Sequence, residues 1–216
     1  RSEFYNGKMR RGILFSADTF AGPKSARQAR MAGLPPPGFA IASWPGPKFL
    51  LDYHHTRCLP YRGIADDRLP LLAVLTFFGH AQLVEGMGHP IRRMALAGNA
   101  GSAVTVHLAN FEDLFALDWD EASPIMQLST QYLDVARRDY ADAFFVSPYI
   151  YNDGLHQLTL LRGYDQAYLD LYDRPDEVHL FIKKMNTIAT RHYDWQLERI
   201  GPVAGGWVCE RVGWYE

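Results

Sequence analysis

Cysteine is scarce in this chain: Cys58 and Cys209 are the only two in 216 residues, and they stand far apart. So thin a set excludes a disulfide framework and suits a reducing compartment, which predicts a cytoplasmic protein. Charge of one sign is missing as well. Lysine and arginine number 22 against 24 aspartates and glutamates, with both signs interspersed, and no basic stripe marks a nucleic-acid partner. Nor is any apolar run long enough for a membrane span, and the polar, basic stretch from Arg1 to Arg11 does not read as a secretory leader, so no membrane partner is predicted. Apolar matter is abundant. A hydrophobic share of 48% with 13% aromatic can fill the core of one large domain and excludes disorder across the whole chain.

Residues 1–66 read as a loop-rich segment. Its Gly33-Leu34-Pro35-Pro36-Pro37-Gly38 and Trp44-Pro45-Gly46-Pro47 runs remove donors and bias the preceding residues away from helix. Tyr53-His54-His55-Thr56-Arg57-Cys58 offers two imidazoles and a thiol, which either hold a metal or form an ordinary polar loop; zinc needs three or four ligands at suitable spacing, and no further cysteine lies near. From residue 67 the pattern becomes regular. Strands are predicted over Leu72 to Phe78, Ala103 to Leu108, Ala143 to Ser147 and Gly206 to Arg211, each a short apolar or β-branched run. Helices are predicted over Gly79 to Met87 and, capped by Asn110, over Phe111 to Leu117. A third starts at Ser123-Pro124, and its Ile125, Leu128, Tyr132, Val135, Ala136 and Tyr140 share one face. The last opens at Pro175, with Val178, Ile182, Met185, Ala189, Tyr193 and Leu197 in step, and stops at Gly201-Pro202. Strands separated by such long crossovers are predicted to pair in parallel.

The stretch from Ala143 to Val178 carries the most specific pattern. An apolar strand is followed by a polar turn, a short helix ending in Leu161-Arg162-Gly163, and then Leu171-Tyr172-Asp173-Arg174-Pro175-Asp176-Glu177 at a helix start. Asp67-Arg68-Leu69-Pro70 precedes the first predicted strand. This order resembles the uroporphyrinogen decarboxylase superfamily, with its strand, "LRG"-like helix, "LYDxPE" helix start and "DRVP" lead-in. The resemblance is good from about Asp118 to Gly201, thin from about Asp67 to Leu117, and absent before that. It implies an α/β fold, a (β/α)8 barrel of mainly parallel strands with covering helices, within which residues 67–216 form the first part. Since a whole barrel takes about 250 residues, it also implies a fragment, whose second half lies beyond Glu216.

The resemblance implies an enzyme, either a porphyrinogen decarboxylase or a corrinoid-linked methyltransferase. In a barrel, ligands sit at the C-terminal ends of the strands, which selects Tyr149, Asn152, Asp153 and His156 after one strand and Glu210 after another. Asp153 and Glu210 are the candidate catalytic pair, two carboxylates able to share acid and base work, while Tyr149, Asn152 and His156 are candidate substrate contacts. Each has a plainer reading: a turn aspartate before glycine, a solvated glutamate, a capping histidine. Arg162, before a glycine at a helix end, reads as structural.

The decarboxylase branch carries an N-terminal "MRQAGRY" segment and a tyrosine four residues before the glycine that ends the short helix. Here Met9-Arg10-Arg11 lacks the rest, and Thr159 stands in the tyrosine's place. Eight substrate carboxylates without the arginine loop would be poorly compensated, which favours methyl transfer over decarboxylation. That branch uses zinc, a corrinoid and a corrinoid protein as partner, and the resemblance places the zinc ligands past Glu216, so no cofactor is expected on the residues present. A barrel glycoside hydrolase using Asp153 and Glu210, or a non-catalytic binding subunit, are the alternative classes.

Overall fold

In a computed structural model of the chain, the described residues are 46–48, 71–72, 81–96, 99–104, 106–142, 145–149, 154–202, 205–209 and 213–215. The Pro-rich runs before residue 46, the His54, His55 and Cys58 group, and the boundary proposed at residue 66 lie outside them. Six helices and six short strands are described. The helices are α1 (Gln82–Gly86), α2 (Phe111–Ala116), α3 (Pro124–Tyr140), α4 (Gly154–Arg162), α5 (Tyr164–Asp173) and α6 (Pro175–Ile200). The strands are β1 (Leu71–Leu72), β2 (Ile91–Leu96), β3 (Asn99–Val104), β4 (Phe145–Val146), β5 (Trp207–Cys209) and β6 (Gly213–Tyr215). The chain therefore has a mixed, helix-rich α/β architecture.

Local signals set several helix ends. The Asn110 side chain accepts from the Asp113 amide at 2.8 Å and starts α2. Pro124 occupies the first turn of α3, where its missing N–H costs nothing, although the Ser123 hydroxyl caps no amide. Gly163, with φ of 80°, separates α4 from α5, and Gly201, with φ of 74°, ends α6; both lie in the left-handed region that side chains disfavour.

β1 and β4 pair in parallel, Leu71 opposite Phe145 and Leu72 opposite Val146. Between them the chain makes a long crossover through α1, a β2–β3 hairpin, α2 and α3. The other two pairings differ from the predicted mainly parallel sheet. Residues 91–96 run antiparallel to 99–104 with only Ala97-Gly98 between them, and β5 runs antiparallel to β6. The predicted strand from Ala103 to Leu108 thus belongs to the end of a hairpin: Val104 closes it, and residues 106–108 are not strand. A two-residue link ending in glycine is a hairpin signal, and it outweighs the crossover argument that assumed a single strand there.

The core lies between α3, α4 and α6, with Ile125, Tyr132, Leu133, Leu158, Leu161, Phe181 and Met185 at its centre. On α6 the buried line is Val178, Phe181, Met185, Ile188, His192, Trp195, Gln196 and Ile200. Ile182, Ala189, Tyr193 and Leu197, predicted on the buried face, flank it half-buried. The stripe is rotated because two polar residues, His192 and Gln196, occupy inward positions that an apolar periodicity passes over.

Candidate functional site

Where β4 ends, the backbone of Tyr149 is clamped by one side chain of α6. The Tyr149 amide donates to Gln196 Oε1 at 2.7 Å, and Gln196 Nε2 donates back to the Tyr149 carbonyl at 3.1 Å, as a neighbouring strand would. The second Nε2 hydrogen faces His192 Nδ1 at 3.1 Å. Because Oε1 is already an acceptor from Tyr149, the amide orientation is fixed, Nδ1 must accept, and the imidazole proton sits on Nε2.

His192 is fully buried between two indoles, stacked on Trp195 at 5.3 Å and edge-on to Trp119 at 5.5 Å. Burial pushes its pKa down to about 3, so the ring is neutral near pH 7. It therefore serves as a positioning residue for Gln196 rather than as an acid or base. Arginines close the cluster from outside: Arg199 lies 4.3 Å over Trp195 and donates to Glu121 at 2.6 Å, and Arg191 lies 5.5 Å over Trp119 and pairs with Asp118 at 2.9 Å.

The first turn of α4 rests on the same helix. A Cβ added at Gly154 would stand 3.0 Å from the Ile182 Cα, so no larger residue fits without moving backbone. One turn on, Gln157 is 1% exposed, and both polar atoms of its side chain lack a hydrogen-bond partner. Leaving a buried amide unmet costs about 1–3 kcal/mol, and such a cost is carried at functional sites more often than elsewhere. Gln157→Leu is therefore expected to raise unfolding free energy by about 1–3 kcal/mol, read from the urea midpoint at constant m. A fall in stability would mean that the amide is satisfied by bound water.

At the other end of α4, Arg162 and Asp170 form a bidentate buried pair, Nε to Oδ2 at 2.7 Å and Nη2 to Oδ1 at 2.9 Å. Arg162 Nη1 also donates to the Leu108 carbonyl at 2.8 Å, and Gln166 donates to Asp170 at 2.9 Å. Burial pulls the Asp170 carboxyl upward, but the hydrogen bonds from Arg162 and Gln166 outweigh it and hold the group below the usual carboxylate range. Arg162 is structural, as its helix-end position predicted, but its partner is a carboxylate eight residues on rather than the helix dipole.

Of the candidate residues, Tyr149 lies buried at the end of the parallel strand β4, and His156 sits half-buried in the first turn of α4. Asn152, Asp153 and Glu210 lie outside the described residues. Sequence reasoning missed Gln157, His192 and Gln196. The signal available was polar residues at inward positions of apolar helices, at four-residue steps from Leu161 or Ile188. Among the described residues no three His, Cys, Asp or Glu side chains gather as a metal-holding group, and no helix is long and apolar enough to cross a membrane. No family model, curated protein or solved structure matches the chain.

Proposed function

We propose that the chain belongs to a uroporphyrinogen-decarboxylase-like (β/α)8 barrel enzyme that performs corrinoid-linked methyl transfer. The observation that carries this reading is the Arg162–Asp170 pair. It ties the "LRG" helix end to the helix that leads into "LYDRPDE", giving both halves of the resemblance one physical reason to occur together. Arg174 of the second segment adds to it, lying 4.7 Å over the Phe111 ring while Arg162 lies 5.3 Å from the same ring. Methyl transfer is favoured over decarboxylation by Thr159. In the place of the decarboxylase tyrosine, its short side chain is buried, and its hydroxyl donates to the His156 carbonyl of its own helix at 2.8 Å.

In this reading Tyr149, Asn152 and His156 contact substrate, and Asp153 and Glu210 move protons. Zinc and a corrinoid, when bound in the whole protein, would supply thiol activation and the methyl group.

The test is methyl exchange between methylcobalamin and a small thiol by the intact protein, followed by the cobalamin absorbance. Asp153→Ala is expected to lower turnover roughly a hundredfold while changing stability by about 0.5 kcal/mol. Porphyrinogen decarboxylation without methyl exchange would move the chain to the other branch. Absence of both reactions would leave the glycoside-hydrolase and binding-subunit classes.

A further inference from the structure

Helix α5 is inside out. Only Ala167 and Asp170 of its ten residues are buried, and Asp170 is spent on Arg162. Its large apolar side chains face outward: Tyr164, Tyr168 and Tyr172 are 58%, 56% and 88% exposed, and Leu169 and Leu171 are exposed too. At about 100° per residue, Leu171, Tyr164, Tyr168 and Tyr172 follow one another around the helix as a single stripe, with Asp165, Leu169 and Asp173 along its far flank. Asp165, Asp173 and Asp176 are exposed. Arg174, the one cation in the run from Gly163 to Val178, is occupied by Glu177 at 2.8 Å and by the Phe111 ring. A tyrosine stripe bordered by Asp165, with the exposed Asp173 and Asp176 beyond it, selects its occupant by charge. Anionic lipid is repelled, and a second copy of this face would set aspartates against aspartates.

The geometry points to a docking surface for a lysine- or arginine-rich amphipathic helix of a partner protein. Its apolar side lies along the Tyr164–Tyr168–Tyr172 stripe, and its cations meet Asp165, Asp173 and Asp176 and stack on the phenol rings. The surface does not depend on the enzymatic reading above and can succeed or fail separately from it.

The experiment measures fluorescence anisotropy of the intact chain with a labelled helical peptide carrying leucine at i, i+3, i+4 and i+7 and lysine elsewhere, beside the same peptide with glutamate for lysine. The lysine peptide is expected to bind at least about tenfold more tightly, and its binding to weaken as salt rises. Tyr168→Ser with Tyr172→Ser should weaken it about tenfold further, with helical circular dichroism unchanged. Equal binding of the two peptides, or full binding by the double variant, would overturn the proposal. So would a mass that grows with concentration and returns to monomer in the double variant, which would assign the face to a second copy.

Discussion

Asp170→Ala is expected to remove about 3–5 kcal/mol of stability, because it leaves the Arg162 guanidinium buried with one carbonyl as its only strong acceptor. Breaking such a pair from one side costs far more than the pair is worth, since the remaining charge has no water to replace its partner. The double replacement Arg162→Met with Asp170→Leu should recover most of that loss, which separates the cost of an orphaned charge from lost packing. Urea unfolding of the three variants at pH 7 gives the cycle. A single-variant loss below about 1 kcal/mol would mean that Arg162 swings out to solvent, and the link between α4 and α5 would lose its structural meaning.

Mild acid is expected to weaken the fold through His192 well before Asp170 titrates. Its folded pKa of about 3 lies below the unfolded value near 6.5, so the unfolded chain binds the proton first. The sign follows: stability is complete above about pH 6.5 and declines as pH falls, by up to about 1.4 kcal/mol per unit, until the folded pKa is passed. At pH 5 the deficit is about 2 kcal/mol. Asp170, held low by its partners, adds a loss only below about pH 4, so the two windows are separable. His192→Phe should be less stable than the parent at pH 7, having lost the bond from Gln196, yet nearly flat between pH 6.5 and 5. If the parent and the variant fall in parallel across that range, His192 is not the group that titrates.

Chain punctuation was legible from residue identity alone. Asn110, Pro124, Gly163, Pro175 and Gly201 each act on the backbone beside them, and each marks an element end in the structure. Strand partners were not legible in the same way. Trp207 to Cys209 reads as apolar and extended whether its neighbour is parallel or antiparallel, and the choice of β6 rests on contacts that no local preference encodes. The candidate site was half legible. Tyr149 was selected because it follows an apolar strand, whereas Gln196 answers its backbone from 47 positions away in sequence with His192 behind it, and a helix read for its apolar face counts both as errors.

The grip of α6 on Tyr149 and on Gly154 makes that helix a ruler for the two. Tyr149 is held at Gln196 and Gly154 at Ile182, 14 residues apart on one rod, which is about 21 Å of axial rise. A rigid displacement of the rod carries Tyr149 and Gly154 together and leaves their separation unchanged, so a push on its C-terminal end, where Gly201 stops the helix, reaches both as translation. Bending or fraying between Ile182 and Gln196 would instead alter the span itself. Control over the spacing between the end of β4 and the start of α4 therefore resides in the stiffness of a helix that belongs to neither.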